Sequence, residues 1–150
     1  MAHAVPNILI VEDEEAHAEL IRRVIRRSSE ACHIDVVTDG EQALDYIFNR
    51  GRYSDRERYG RPGMILLDIK LPGIDGLEVL MQIKSNRILR MIPVIVLTTS
   101  EREQDIAVAY QHHANSYLTK PVGYAAFEEK VLQLGRYWTR INEPPPARRS

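Results

Sequence analysis

The sequence predicts an α/β fold in which a five-stranded parallel sheet carries helices on both faces. Five short runs rich in Ile, Val and Leu mostly lack polar alternation, as strands buried on both faces should. Segments with apolar residues at helical spacing separate those runs. Strand and helix candidates alternate along the whole chain, the order that builds a parallel sheet.

The first strand is "NILIV" (7–11), followed by the acidic run Glu12 to Glu15. Ala16, Leu20, Ile21, Val24 and Ile25 then line one face of a helix. "IDVV" (34–37) is the second strand, and a helix follows near 41–49. "NRGRYSDRERYGRP" (49–62) is a polar, Arg/Tyr-bearing insertion that does not fit the core pattern. The third strand is "MILLD" (64–68), with Leu77, Leu80 and Ile83 marking the helix after it. "PVIVLTT" (93–99) is the fourth strand, and a helix near 102–113 leads to the fifth, "SYLT" (116–119). Phe127, Val131, Leu134 and Trp138 give the apolar stripe of a last helix over 124–141. "NEPPPARRS" (142–150) reads as an extended Pro/Arg-rich tail. One domain over 5–141 with no separate output domain is expected, of the flavodoxin-like type with strand order 2-1-3-4-5.

Composition narrows the function. Of 150 residues, 44% are hydrophobic and 27% charged, and the net charge of −1 gives no field that favours nucleic acid. No window approaches a membrane span, and the N-terminus lacks the basic region of a signal peptide. Cys32 is the only cysteine, which excludes an internal disulfide and suits a reducing compartment. A cytoplasmic protein that touches neither membrane nor nucleic acid is expected.

In an open α/β sheet, ligands bind beyond the carboxyl ends of the strands. This sequence places Glu12 and Asp13 after strand one, Asp68 at the end of strand three, Thr98-Thr99-Ser100 after strand four and Lys120-Pro121 after strand five. Three carboxylates that close repel one another unless a cation sits among them. Only oxygen donors converge, with no supporting His or Cys, which favours a hard divalent ion such as Mg2+. Mg2+ keeps waters, and those leave room for a phosphoryl group. Asp68 is then a nucleophile toward phosphorus, with Lys120 neutralising the equatorial oxygens and Thr98 donating to one of them.

Glu12-Asp13, "LLDIKLPGIDG", "PVIVLTTSE" and "SYLTKP", in that order and each at a strand end, resemble the receiver domain of two-component response regulators over about residues 5 to 140. The resemblance implies that Asp68 accepts a phosphoryl group from a phosphohistidine on a sensor histidine kinase. It implies Mg2+ (or Mn2+) held by Asp13, Asp68 and the backbone carbonyl of Lys70, with Glu12 acting mainly through a water. It further implies that Lys120 pairs with the acceptor, that Thr98 and Tyr117 form the switch, and that the Lys120–Pro121 bond is cis. Glu12 departs from the family's commoner aspartate. The insertion, "VLTTSEREQDI", "NSYLTKP" and the aromatic end of the last helix resemble the stand-alone receivers that serve phytochromes. Apart from its own phosphorylation and dephosphorylation, such a domain is not an enzyme. A receiver-like adapter that works without phosphate is the alternative. A hydrolase of the haloacid dehalogenase type would need an aspartate where Lys70 stands.

Other residues read more plainly. Glu14 and Glu15 suit the first turn of a helix, and Ser100 suits a helix N-cap. His112-His113 do not share a helical face and read as surface residues. Arg50, Arg52, Arg56, Arg58 and Arg61 belong to a solvated loop, and Cys32 is an inert, half-buried thiol. Tyr137, Trp138 and Ile141 leave an apolar patch at the end of the last helix, where a homodimer is expected.

Overall fold

The computed structural model describes residues 7–29 and 32–146. Residues 5, 6, 30, 31 and 147–150 of the expected domain and tail therefore lie outside the described residues. The strands are β1 (Asn7–Val11), β2 (His33–Val37), β3 (Met64–Leu67), β4 (Val94–Thr98) and β5 (Ser116–Thr119). The helices are α1 (Glu15–Ser28), α2 (Gly40–Ile47), α3 (Gly76–Ser85), α4 (Glu103–Gln111) and α5 (Tyr124–Arg136). All strand pairs are parallel and the order is β2-β1-β3-β4-β5.

Side chains alternate along each strand and so feed two cores. Leu9, Val11, Ile65, Leu67, Val94 and Val96 pack under α2, α3 and α4. Ile8, Ile10, Met64, Leu66, Ile95 and Leu97 pack under α1 and α5. β3, flanked by β1 and β4, is buried along its whole length, which is why "MILL" has no polar alternation. The helices start where polar residues can accept their free N–H groups. Asp39 accepts from the Gln42 amide at 2.7 Å and Asp75 from the Leu77 amide at 2.8 Å. Arg26 and Arg27 close α1, where the macrodipole favours cations.

The insertion corrects its sequence reading. Tyr53 lies in a short 3-10 turn (Gly51–Tyr53) and is buried within the α2–α3–α4 core. The rings of Tyr46, Tyr53 and Tyr59 meet with centroids 5.0 to 5.6 Å apart. Asn49, at φ 53°, ties this cluster together by donating to the carbonyls of Tyr53 and Tyr59. Interleaved arginines hid the apolar face, because Arg52 and Arg58 cover the rings of Tyr53 and Tyr59 as cation–π partners. Cys32 is fully buried rather than half-buried, and its thiol donates to the Ser29 carbonyl.

The Lys120–Pro121 bond is also a correction: it is trans, the isomer favoured by about 0.5–1 kcal/mol for an X–Pro bond. With it trans, the Lys120 ammonium already reaches two carboxylates. The last helix ends differently from the uniform helix expected over 124–141. Tyr137–Ile141 forms a π-helical turn, with the Asn142 amide donating to the Tyr137 carbonyl. Among the described residues, no helix is long and apolar enough to cross a membrane.

Candidate acidic site at the strand ends

One further ladder bond beyond each strand fixes the backbone of three polar residues. The Glu12 amide donates to the Val37 carbonyl, that of Asp68 to Val11, and that of Lys120 to Thr98. Their side chains converge as a result. Carboxylate oxygens of Glu12, Asp13 and Asp68 lie within 4.8 Å of one another. Glu12 and Asp68 are buried and Asp13 is exposed.

Lys120 enters this cluster from β5 and compensates the buried charge. Its Nζ lies 2.5 Å from Glu12 Oε1 and 2.8 Å from Asp68 Oδ2, with only 3% of the side chain exposed. The remaining carboxylate oxygens meet backbone donors. Asp68 Oδ1 accepts from the Lys70 amide at 3.0 Å, and Glu12 Oε2 accepts from the Glu14 amide at 3.1 Å. Burial alone would lower the Lys120 ammonium's pKa, but its hydrogen bonds to Asp68 and Glu12 prevail and raise it. For Glu12, burial prevails over the pull of Lys120 and pushes the carboxyl up to about 7.

That shift has a sign that can be checked. Between about 4.5 and about 7, folded Glu12 binds a proton that the unfolded chain does not. Its contribution to stability is full below the lower value and lost as pH rises through the upper one, on the order of 2–3 kcal/mol. Urea denaturation of metal-free protein across this window should therefore show stability falling with pH, and Glu12→Gln should flatten the slope. Equal slopes in the two proteins would overturn the assignment.

Asp13, the exposed member of the cluster, also lines a cleft of about 640 Å3. Asp13, Lys70, Pro72, Arg102 and Asp105 line it, with Lys70 exposed at its edge. The sequence reading did not place Arg102, the N-cap of α4, or Asp105, in its first turn, at this cleft. Thr98 is fully buried at the end of β4, and its hydroxyl accepts from the Ser100 amide at 3.4 Å. Tyr117, half-buried against the core, donates from its hydroxyl to the Ser100 carbonyl at 2.9 Å. Ser100 does not occupy the N-cap of α4, which is Arg102. It instead donates to the Asp105 carboxylate at 2.5 Å, joining Tyr117 to the cleft wall.

One side chain in the site went unnoticed. His17 Nδ1 lies 3.0 Å from Lys120 Nζ. Its position one helical turn beyond Asp13 is the signal that would have found it. No histidine is among the clustered carboxylates, so an oxygen-only set still stands there.

Residues 8–132 match the family model described as the response regulator receiver domain. The probable methanogenesis regulatory protein FilR2 of Methanothrix harundinacea is 44% identical over 92% of this chain and 86% of its own length. The structure of the Mn2+-bound form of response regulator Rcp1, a protein of Synechocystis sp., superposes with a TM-score of 0.88. That likeness covers 94% of this chain and 99% of the other at 37% identity. The phosphorylated cyanobacterial phytochrome response regulator RcpA gives a TM-score of 0.89 at 36% identity, covering 95% and 100%. With the parallel order β2-β1-β3-β4-β5 and an acidic cluster at its carboxyl edge, this chain belongs to the response regulator receiver domain family.

Proposed function

We propose that Asp68 is the phosphoacceptor of a phosphorylation-controlled switch whose phosphodonor is a phosphohistidine on a sensor histidine kinase. The observation that carries this is a buried carboxylate, paired to a buried ammonium and clustered with Asp13, which lines an open cleft. A carboxylate oxygen of Asp68 forms a bond to phosphorus while the bond from phosphorus to the kinase imidazole breaks, its electron pair staying on nitrogen. Lys120 neutralises charge on the phosphoryl oxygens as Asp68 gives up its own.

The oxygen-only set fits Mg2+ or Mn2+, with Asp13, Asp68 and the Lys70 carbonyl as direct ligands. Glu12, held by the Glu14 amide and Lys120, acts through a water. When bound, the ion supplies charge neutralisation at the phosphoryl oxygens. Thr98 then turns from the Ser100 amide toward the new phosphoryl group. Tyr117, held to the same loop by the Ser100 carbonyl, moves with it and carries the change to the surface.

A phytochrome is the sensor that the likeness to RcpA supports. We place the protein in the cytoplasm, with a receiver domain over 5–141 that signals by protein contact. The exposed side chains of Tyr137 and Ile141, beside the half-buried Trp138, support a homodimer through the π-helical end of α5. Sedimentation should show a dimer that Tyr137→Glu with Ile141→Glu converts to monomer, and an unchanged profile would remove this face from the interface.

The main test is intact mass after incubation with acetyl phosphate, with Mg2+ or with chelator. One labile phosphoryl adduct that needs the metal is expected. A second arm replaces acetyl phosphate with an autophosphorylated bacterial phytochrome kinase. No adduct in either arm would overturn the phosphoacceptor reading, while an adduct from acetyl phosphate alone would reject only the phytochrome.

A further inference from the structure

We infer that His17 is a positioning residue that, with Glu12, sets the direction in which the Lys120 ammonium presents its remaining proton to the phosphoacceptor. The inference rests on the reading of Asp68 as that acceptor and extends it to a side chain outside the expected set.

An ammonium has three protons and no acceptor capacity. Lys120 has three close partners, Glu12 Oε1, Asp68 Oδ2 and His17 Nδ1. The contact with His17 therefore has one direction: Lys120 donates, and Nδ1 accepts through its lone pair. The imidazole is then neutral with its proton on Nε2, and that nitrogen lies 3.4 Å from Glu14 Oε2. Phe127 of α5 meets the ring edge to face at 5.2 Å and limits its rotation. Glu14 and Phe127 thus hold the imidazole, and the imidazole holds the ammonium.

The three bonds respond differently to phosphoryl transfer. Asp68 loses its carboxylate charge when its oxygen bonds to phosphorus, so its charge-assisted bond from Lys120 weakens. That proton is free to turn to a phosphoryl oxygen. Glu12 and His17 form no bond to phosphorus, and their contacts with Lys120 are not consumed by the step. Two fixed bonds from a tetrahedral ammonium define where the third N–H points. With Glu12 alone, the ammonium can rotate and its third proton has no set direction.

The test compares His17→Leu, which removes the acceptor, with His17→Asn, whose Oδ1 stands where Nδ1 was. The first measurement is the side-chain ammonium signal of Lys120 in 15N-lysine-labelled, unphosphorylated protein. The second is the rate of adduct formation with acetyl phosphate at saturating Mg2+. The ammonium signal should survive in wild type and His17→Asn, where all three protons are bonded, and broaden away in His17→Leu. Phosphorylation should slow about three- to tenfold in His17→Leu and stay within about twofold of wild type in His17→Asn. Wild-type rates in His17→Leu, or equal slowing in both variants with the ammonium signal intact, would overturn the inference. If wild type itself takes no phosphoryl group, the acceptor reading fails separately. The ammonium signal then still decides the His17 contact: selective loss in His17→Leu upholds it, and an unchanged signal removes it.

Discussion

Asp68→Asn is expected to take up no phosphoryl group from acetyl phosphate at any Mg2+ concentration while remaining folded. The amide keeps the shape of the side chain, and its one carbonyl oxygen can accept from either Lys120 Nζ or the Lys70 amide. It lacks the anionic oxygen that attacks phosphorus, and it removes one ligand from the oxygen cluster. The folded state should not suffer. Above about pH 7, where Glu12 is ionised, Glu12 and Asp68 both face a single buried ammonium, so replacing one carboxylate leaves a matched pair and removes a desolvated charge. Urea denaturation of metal-free Asp68→Asn should show stability equal to wild type or higher by up to about 2 kcal/mol. A phosphoryl adduct on this variant would place the acceptor elsewhere.

Gly76→Ala should strongly destabilise the fold and should reach the site through the backbone. Gly76 opens α3, and a Cβ built there would stand 2.4 Å from both the Asp68 carbonyl oxygen and the Ile69 Cα. Both contacts are main chain, so neither can move aside as a flexible side chain would. The Gly76 amide also donates to the Ile69 carbonyl at 3.1 Å, which fixes the approach. A single methyl group must therefore lift the helix or push the turn that carries Asp68 and Lys70. The cost is expected at the upper end of overpacking, about 3 kcal/mol. Denaturation should show that loss, and the folded fraction should accept phosphate more slowly than wild type. A loss below about 1 kcal/mol with an unchanged rate would mean that the helix yields freely.

The sheet was readable because its strands are apolar on both faces. "NILIV" and "SYLT" coincide with β1 and β5, and the other strands differ only at their ends. The site was readable because each of its polar residues ends such a run, where a buried charge needs a partner. What escaped depends on contacts between residues far apart in sequence. His17 matters because α1 carries it toward Lys120, 103 positions away. Tyr53 is core only because Tyr46 and Tyr59 close around it, which a stretch dense in arginine conceals. The isomer of the Lys120–Pro121 bond is not written in the local residues either, and the family pattern pointed to the wrong one. The π-helical turn at Tyr137–Ile141 has the same periodic stripe as an ordinary helix, so side-chain spacing could not distinguish it.

The ladder bonds that hold Glu12, Asp68 and Lys120 each reach across to a different neighbouring strand. No hairpin or single β-α unit contains more than a fragment of the site. The clustered carboxylates and the ammonium come together only when β1, β3 and β5 have taken their places in one sheet. Folding and competence to be phosphorylated are then the same event. A metal that binds only the assembled state adds to its stability by mass action. A kinase that reads this surface consequently proofreads its substrate, and a nascent or damaged copy cannot carry the signal.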